Sequence, residues 1–137
     1  MLNSYYNPNR LVFRLHKNSF ECSMLGIVVP FYGNANQCLN PNFKKMSHLS
    51  IGYMQNNLDL EQLYGVNIVN GFCIVSYRNI ILNEKIVKDG YAVVNKNGVN
   101  DGEFLDRLLE LQNIAMKNRF GLWNSFYSDM ECLKDSY

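Results

Sequence analysis

Apolar and polar positions alternate first in LVFRLHKNSFECSMLGIVV, where Leu11, Phe13 and Leu15 interleave with Val12, Arg14 and His16. A period of two belongs to a half-buried strand, and the polar HKNS between two such runs predicts a hairpin. Pro30, Gly33, Asn34 and CLNPN then form a polar loop, closed by Pro41. From Met46 to Leu58 the apolar residues Met46, Leu49, Tyr53 and Met54 fall at helical spacing, with Ser47 as a candidate cap. LDLEQLYG and NGFCIVSY read as two further strands, with Asp59 and Glu61 on one face of the first. ILNEKIVKDG predicts a short helix stopped by Gly90, a residue suited to the left-handed C-cap.

The strongest periodicity runs from Asp101 to Lys117, where Phe104, Leu108, Leu111 and Ala115 make one stripe. Acids crowd its start, Lys117 and Arg119 stand near its end, and Glu103 to Arg107 is a candidate i,i+4 pair. The closing YSDMECLKDSY is polar and short, so residues 1–125 are read as one domain and 126–137 as a polar tail. A chain of 137 residues with 47% hydrophobic residues supports a single core.

The net charge of +1 divides unevenly, with +4 on residues 1–58 and −3 on the remainder. Arg10, Arg14, Lys44 and Lys45 are candidate anion contacts, with Tyr5, Tyr6 and Phe31 as stacking partners, although such a charge falls short of a dedicated nucleic-acid binder. MLNSYYNPNR fits neither a signal nor a transit peptide, and no apolar run reaches membrane-spanning length. Cys22, Cys38, Cys73 and Cys132 lack zinc-site spacing, so no metal is expected. Cys22 and Cys73 read as buried thiols and Cys38 as an exposed one; a reducing intracellular compartment fits best, with disulfides left open. His16 and His48 lack a catalytic partner in sequence and read as surface residues.

The order hairpin, loop, helix, two strands, short helix, strand, long helix, together with LNEKIVKDGYAVV and RFGLWN, resembles the staphylococcal nuclease family. That resemblance implies an α+β fold, a five-stranded OB-type barrel with three α-helices. It also implies calcium-dependent phosphodiester cleavage, which needs carboxylates for the cation, a glutamate near the attacking water, and arginines facing the transition state. The family's Asp-Gly-Asp turn falls on Asn7, Pro8 and Asn9; its next ligand aspartate on Val28, its threonine on Val29, and its general-base glutamate on Phe31. The two catalytic arginines fall on Ser23 and on or beside Asn70, and the residues that hold the terminal phosphate fall near Asn67, Ile68, Lys96 and Gly98.

The expectation is therefore a noncatalytic, cofactor-free binding or scaffold module, an accessory subunit in a larger assembly. Its protein contact is expected on the apolar loop from Val28 to Tyr32. Two alternatives stay beside it. One is an active nuclease with a rearranged site built on Glu21, Asp59 and Glu61, acids that nothing in the sequence places against arginines; the other is a single-strand nucleic-acid binder that does not cleave.

Overall fold

A computed structural model describes residues 1–31, 38 and 41–137. Strands β1 (Leu2–Asn7), β2 (Arg10–Leu15) and β3 (Asn18–Met24) form an antiparallel meander, followed by the short β4 (Ile27–Val28). Helix α1 (Phe43–Asn57) leads to the hairpin β5 (Gly65–Val69) and β6 (Phe72–Tyr77), the two-residue β7 (Ile80–Ile81), and α2 (Leu82–Lys88). Then come β8 (Val93–Val94), α3 (Gly102–Asn118), α4 (Leu122–Ser125) and α5 (Tyr127–Asp135).

The main sheet runs β1-β2-β3-β6-β5, with β7 paired to β6, while β4 and β8 form a separate two-stranded ladder. The expected five-stranded sheet is present, but backbone pairing among the described residues does not close it into a barrel. The reason is local: β4 and β8 offer only two residues each, too few to bridge the edges. Five helices rather than three are found among the described residues.

Leu11, Phe13, Cys22, Met24, Cys73 and Val75 alternate onto the buried face of β2, β3 and β6, against Met54, Ile86, Leu108 and Leu111 of the helices. This follows the pleat, since every second residue of a strand shares a face. A second cluster gathers Phe43, Met46, Val93, Ala115, Trp123, Met130 and Leu133. Residues 126–137 are thus no loose tail. Met130 and Leu133, one helical turn apart, dock on the fully buried Trp123, and tertiary burial supplies the stability that the polar sequence lacks.

Other expectations are also corrected. The first helix starts at Phe43, one turn earlier than read, and Ser47 is buried inside it instead of capping it. LDLEQLYG is not itself a strand, β5 starting only at its final Gly65: Leu60 and Leu63 are exposed, so no inward alternation exists, and Glu61 takes a positive φ while its N–H donates to the Leu2 carbonyl. Arg107 reaches Glu84 across to α2 and Glu110 on its own helix, instead of Glu103. The α3 stripe itself stands as expected, capped by Asp101, whose Oδ1 accepts the Glu103 and Phe104 N–H groups.

All four cysteines are bonded, Cys22 to Cys73 and Cys38 to Cys132, which overturns the buried and exposed thiols. Parallel pairing of β3 with β6 sets Met24 beside Cys73 and so brings Cys22 within reach, a proximity that spacing along the chain does not reveal. The reducing compartment loses its basis, because such bonds persist where the surroundings are oxidising.

α1 and α2 are joined through Asp89, whose Oδ2 accepts from Tyr53 Oη and Lys85 Nζ, each at 2.7 Å, while Tyr53 stacks on Tyr91. Burial, and then the hydrogen bond and charge of Asp89, push the Tyr53 phenol up from its ordinary value. With the folded pKa above the unfolded one, its contribution to stability is complete below about pH 10 and shrinks as the pH rises further. Tyr53→Phe is expected to lessen the fall in urea midpoint between about pH 9 and about pH 11; an unchanged fall would show that the phenol is not held there.

Candidate functional site

The outer face of the sheet, opposite the core, carries the positions implicated by sequence. Ser23 of β3 faces outward beside Phe72 of β6, its partner in the parallel pairing. The β3–β4 turn folds back next to them, and the segment after β8 returns past it, because the Asn95 N–H donates to the Gly26 carbonyl at 2.8 Å. Between these elements lies a cleft of about 270 Å³, lined by Asn9, Ser23, Val28, Phe31, Phe72 and Asn97 among others.

Four of the six positions matched to the family's catalytic residues thus converge: Asn9, Ser23, Val28 and Phe31. Val29 lies beneath, fully buried in the main core. Asn70 does not join them, since it occupies the exposed Asn-Gly turn between β5 and β6 with a φ of +52°.

Asn9 explains why the site takes this form. Its Nδ2 donates to the Val29 carbonyl at 2.7 Å and its Oδ1 accepts the Val29 N–H at 2.6 Å. Both side-chain atoms therefore clamp the backbone on which Val28, Val29 and Phe31 are carried. An aspartate there would lack the donor half of this clamp. The side chains do not fit a calcium ion, which takes six to eight oxygens including carboxylates: among the described residues the lining side chains offer amides, the hydroxyls of Ser23 and Tyr137, a thioether and hydrocarbon. Among the described residues, no three of His, Cys, Asp and Glu converge elsewhere.

The apolar loop expected to meet a protein is mostly covered. Val29 and Pro30 are buried, and Val28 and Phe31 half-buried. Tyr32 lies outside the described residues, as do the side chains of Tyr5 and Tyr6.

The candidate anion contacts are dispersed or already paired. Arg10 meets Glu21 at 3.7 Å and Arg14 meets Glu61 at 3.9 Å, both across the exposed surface. Two acids of the rearranged-site alternative are therefore set against arginines after all, through the antiparallel register of β2 with β3 and through the turn that brings Glu61 back to β1. Each pair satisfies its own charge, and solvent-exposed pairs of this kind contribute little. Lys44 and Lys45 stand exposed in the first turn of α1 and do not line the cleft. Lys96 is exposed and lines a different depression, while Gly98 takes a positive φ against the Phe72 ring.

Asn95, Asn97, Phe72 and Tyr137 are cleft residues that the sequence reading did not single out. The run Asn-Lys-Asn-Gly after an apolar strand carries the turn chemistry that could have flagged the first two.

No helix among the described residues is long and apolar enough to cross a membrane. A search of curated proteins finds no match. The model of one family, described as staphylococcal nuclease homologue, matches residues 28–125. That span takes in Val28 of the cleft wall, the hairpin bearing Phe72, α2 with the Gly90 that follows it, α3 and the Trp123 segment, and on it the chain belongs to the staphylococcal nuclease homologue family.

Proposed function

We propose that this nuclease-family chain acts by binding and not by cleaving phosphodiesters, as an accessory module of a larger assembly. The observation that carries the reading is the Asn9 clamp on Val29, which commits the residue at the metal-binding turn to holding an apolar segment in place. Ser23, Val28 and Phe31 bring no carboxylate or guanidinium to the same cleft. Such a surface can hold a ligand, but it can neither bind a hard cation nor stabilise a phosphorane-like transition state. With Val29 and Pro30 buried, the contact surface that the described residues of the Val28 to Tyr32 loop leave is the cleft rim at Val28 and Phe31. Single-strand nucleic-acid binding draws less support, because Arg10 and Arg14 already face glutamates.

The test is a panel of fluorescent single-stranded DNA and RNA incubated with calcium, with magnesium and with chelator, reading polarisation from the same wells. Intact substrate in every metal condition is the expected result. Chelator-sensitive cleavage that disappears in Glu21→Ala, Asp59→Ala would overturn the reading and locate the chemistry on the rearranged acids. A rise in polarisation without cleavage would favour the nucleic-acid binder.

A further inference from the structure

The cleft's chemistry names a ligand class, an inference that rests on the noncatalytic reading because a phosphodiesterase would need charge here. Among the described residues that line it, none carries a charged side chain. Arg10, the β2 partner of Ser23 in the strand register, is paired with Glu21. A phosphate or carboxylate entering the cleft would lose its water and meet no counterion there. A neutral guest avoids that cost.

Its walls and polar groups also differ in kind. Phe31 and Phe72 present rings, with Phe72 exposed enough at 37% to receive a flat apolar face. Asn95 is fixed between the Gly26 carbonyl, which accepts its N–H, and the Asn97 N–H, which its Oδ1 accepts at 3.0 Å. That leaves its Nδ2 directed by a held side chain. The Ser23 hydroxyl and the Asn97 side-chain amide have no hydrogen-bond partner among the described residues. Rings beside neutral amides and a hydroxyl match a pyranose, which offers a C–H face to an aromatic wall and hydroxyls to amides. The cleft, at about 270 Å³, is below the usual range for drug-sized ligands and suits a single ring unit. OB-type surfaces accommodate oligosaccharides as well as oligonucleotides. The two disulfides agree with surroundings where glycans are exposed. We propose that the cleft formed by Ser23, Phe31, Phe72, Asn95 and Asn97 binds one uncharged pyranose unit of a glycan.

The experiment is an amide NMR titration of the intact, disulfide-bonded protein with maltotriose, cellotriose, mannotriose and chitotriose, with hexathymidylate and calcium as a parallel arm. Saturable shifts of Ser23, Phe72, Asn95 and Asn97 with at least one trisaccharide are expected, weakened about tenfold by Phe72→Ala. Asn97→Ala, at an exposed position, should weaken the same shifts; unchanged dispersion of the remaining amides reports that both variants are folded. Absence of these shifts with all four sugars overturns the proposal, as does tighter binding of hexathymidylate at the same residues. Cleavage of hexathymidylate would overturn the noncatalytic reading as well, whereas intact hexathymidylate without sugar shifts removes the pyranose alone.

Discussion

Gly90→Ala is expected to lower unfolding stability by at least ~4 kcal/mol, enough to leave many domains of this size largely unfolded. Gly90 follows the C-terminus of α2 with a φ of +86°, and its carbonyl accepts the Leu122 N–H at 3.0 Å. A Cβ at this position would be driven into the carbonyl oxygen of Phe120, a backbone atom that cannot rotate away. The same crossing makes Gly121 intolerant, since its Cβ would meet the Asp89 carbonyl. Gly71→Ala separates conformation from contact. Its φ is +84° but nothing lies within 4 Å of a Cβ there, so its cost should stay at about 1–2 kcal/mol. Guanidinium unfolding of the two variants measures the difference. Equal costs would mean that the close approach of the α2 end to the α3–α4 turn contributes nothing.

Asn83→Ala should be the next most damaging change, at roughly 2–5 kcal/mol. Asn83 is fully buried in the first turn of α2. Its Oδ1 accepts the Val75 N–H at 3.0 Å, and its Nδ2 donates to the Leu25 and Cys73 carbonyls at 2.9 and 3.1 Å. One amide thus ties the first turn of α2 to both β6 and the β3–β4 turn, beside the Leu25 N–H that donates to the Cys73 carbonyl. Alanine leaves the Val75 N–H without this acceptor and takes one donor from each carbonyl, in a place where water does not compensate. Asn83→Asp keeps the acceptor but turns a carboxylate toward two carbonyl oxygens. The folded state would then favour the protonated acid, raising its pKa, so the variant's deficit should be small in acid and grow as the pH rises above about 4. A thermal shift series against pH checks the sign; a pH-independent deficit would show that the buried amide's donors do not matter.

The elements visible in sequence are those with one dominant period. α3 is legible because Leu108, Leu111 and Ala115 repeat on one face behind the Asp101 cap. The β2–β3 hairpin is legible because its two runs are contiguous and end in a polar turn. α5 is not: its apolar content is Tyr127, Met130, Cys132 and Leu133, and the helix exists because Trp123 and Val93 lie under it. The cleft was half legible. Asn9, Ser23, Val28 and Phe31 could be placed through the family resemblance, whereas Phe72, Asn95 and Asn97 reach it only through the parallel β3–β6 pairing and the return after β8. Nor could composition pair the cysteines, whose partners stand 51 and 94 residues apart.

Those pairings overlap, since Cys38 lies between Cys22 and Cys73 while its partner Cys132 lies beyond both. A single peptide bond hydrolysed anywhere between residues 22 and 132 therefore leaves the two fragments joined through sulfur. A chain nicked in that span would keep its covalent unity, and a protease would have to cut twice within it or act with a reductant to release a piece of it.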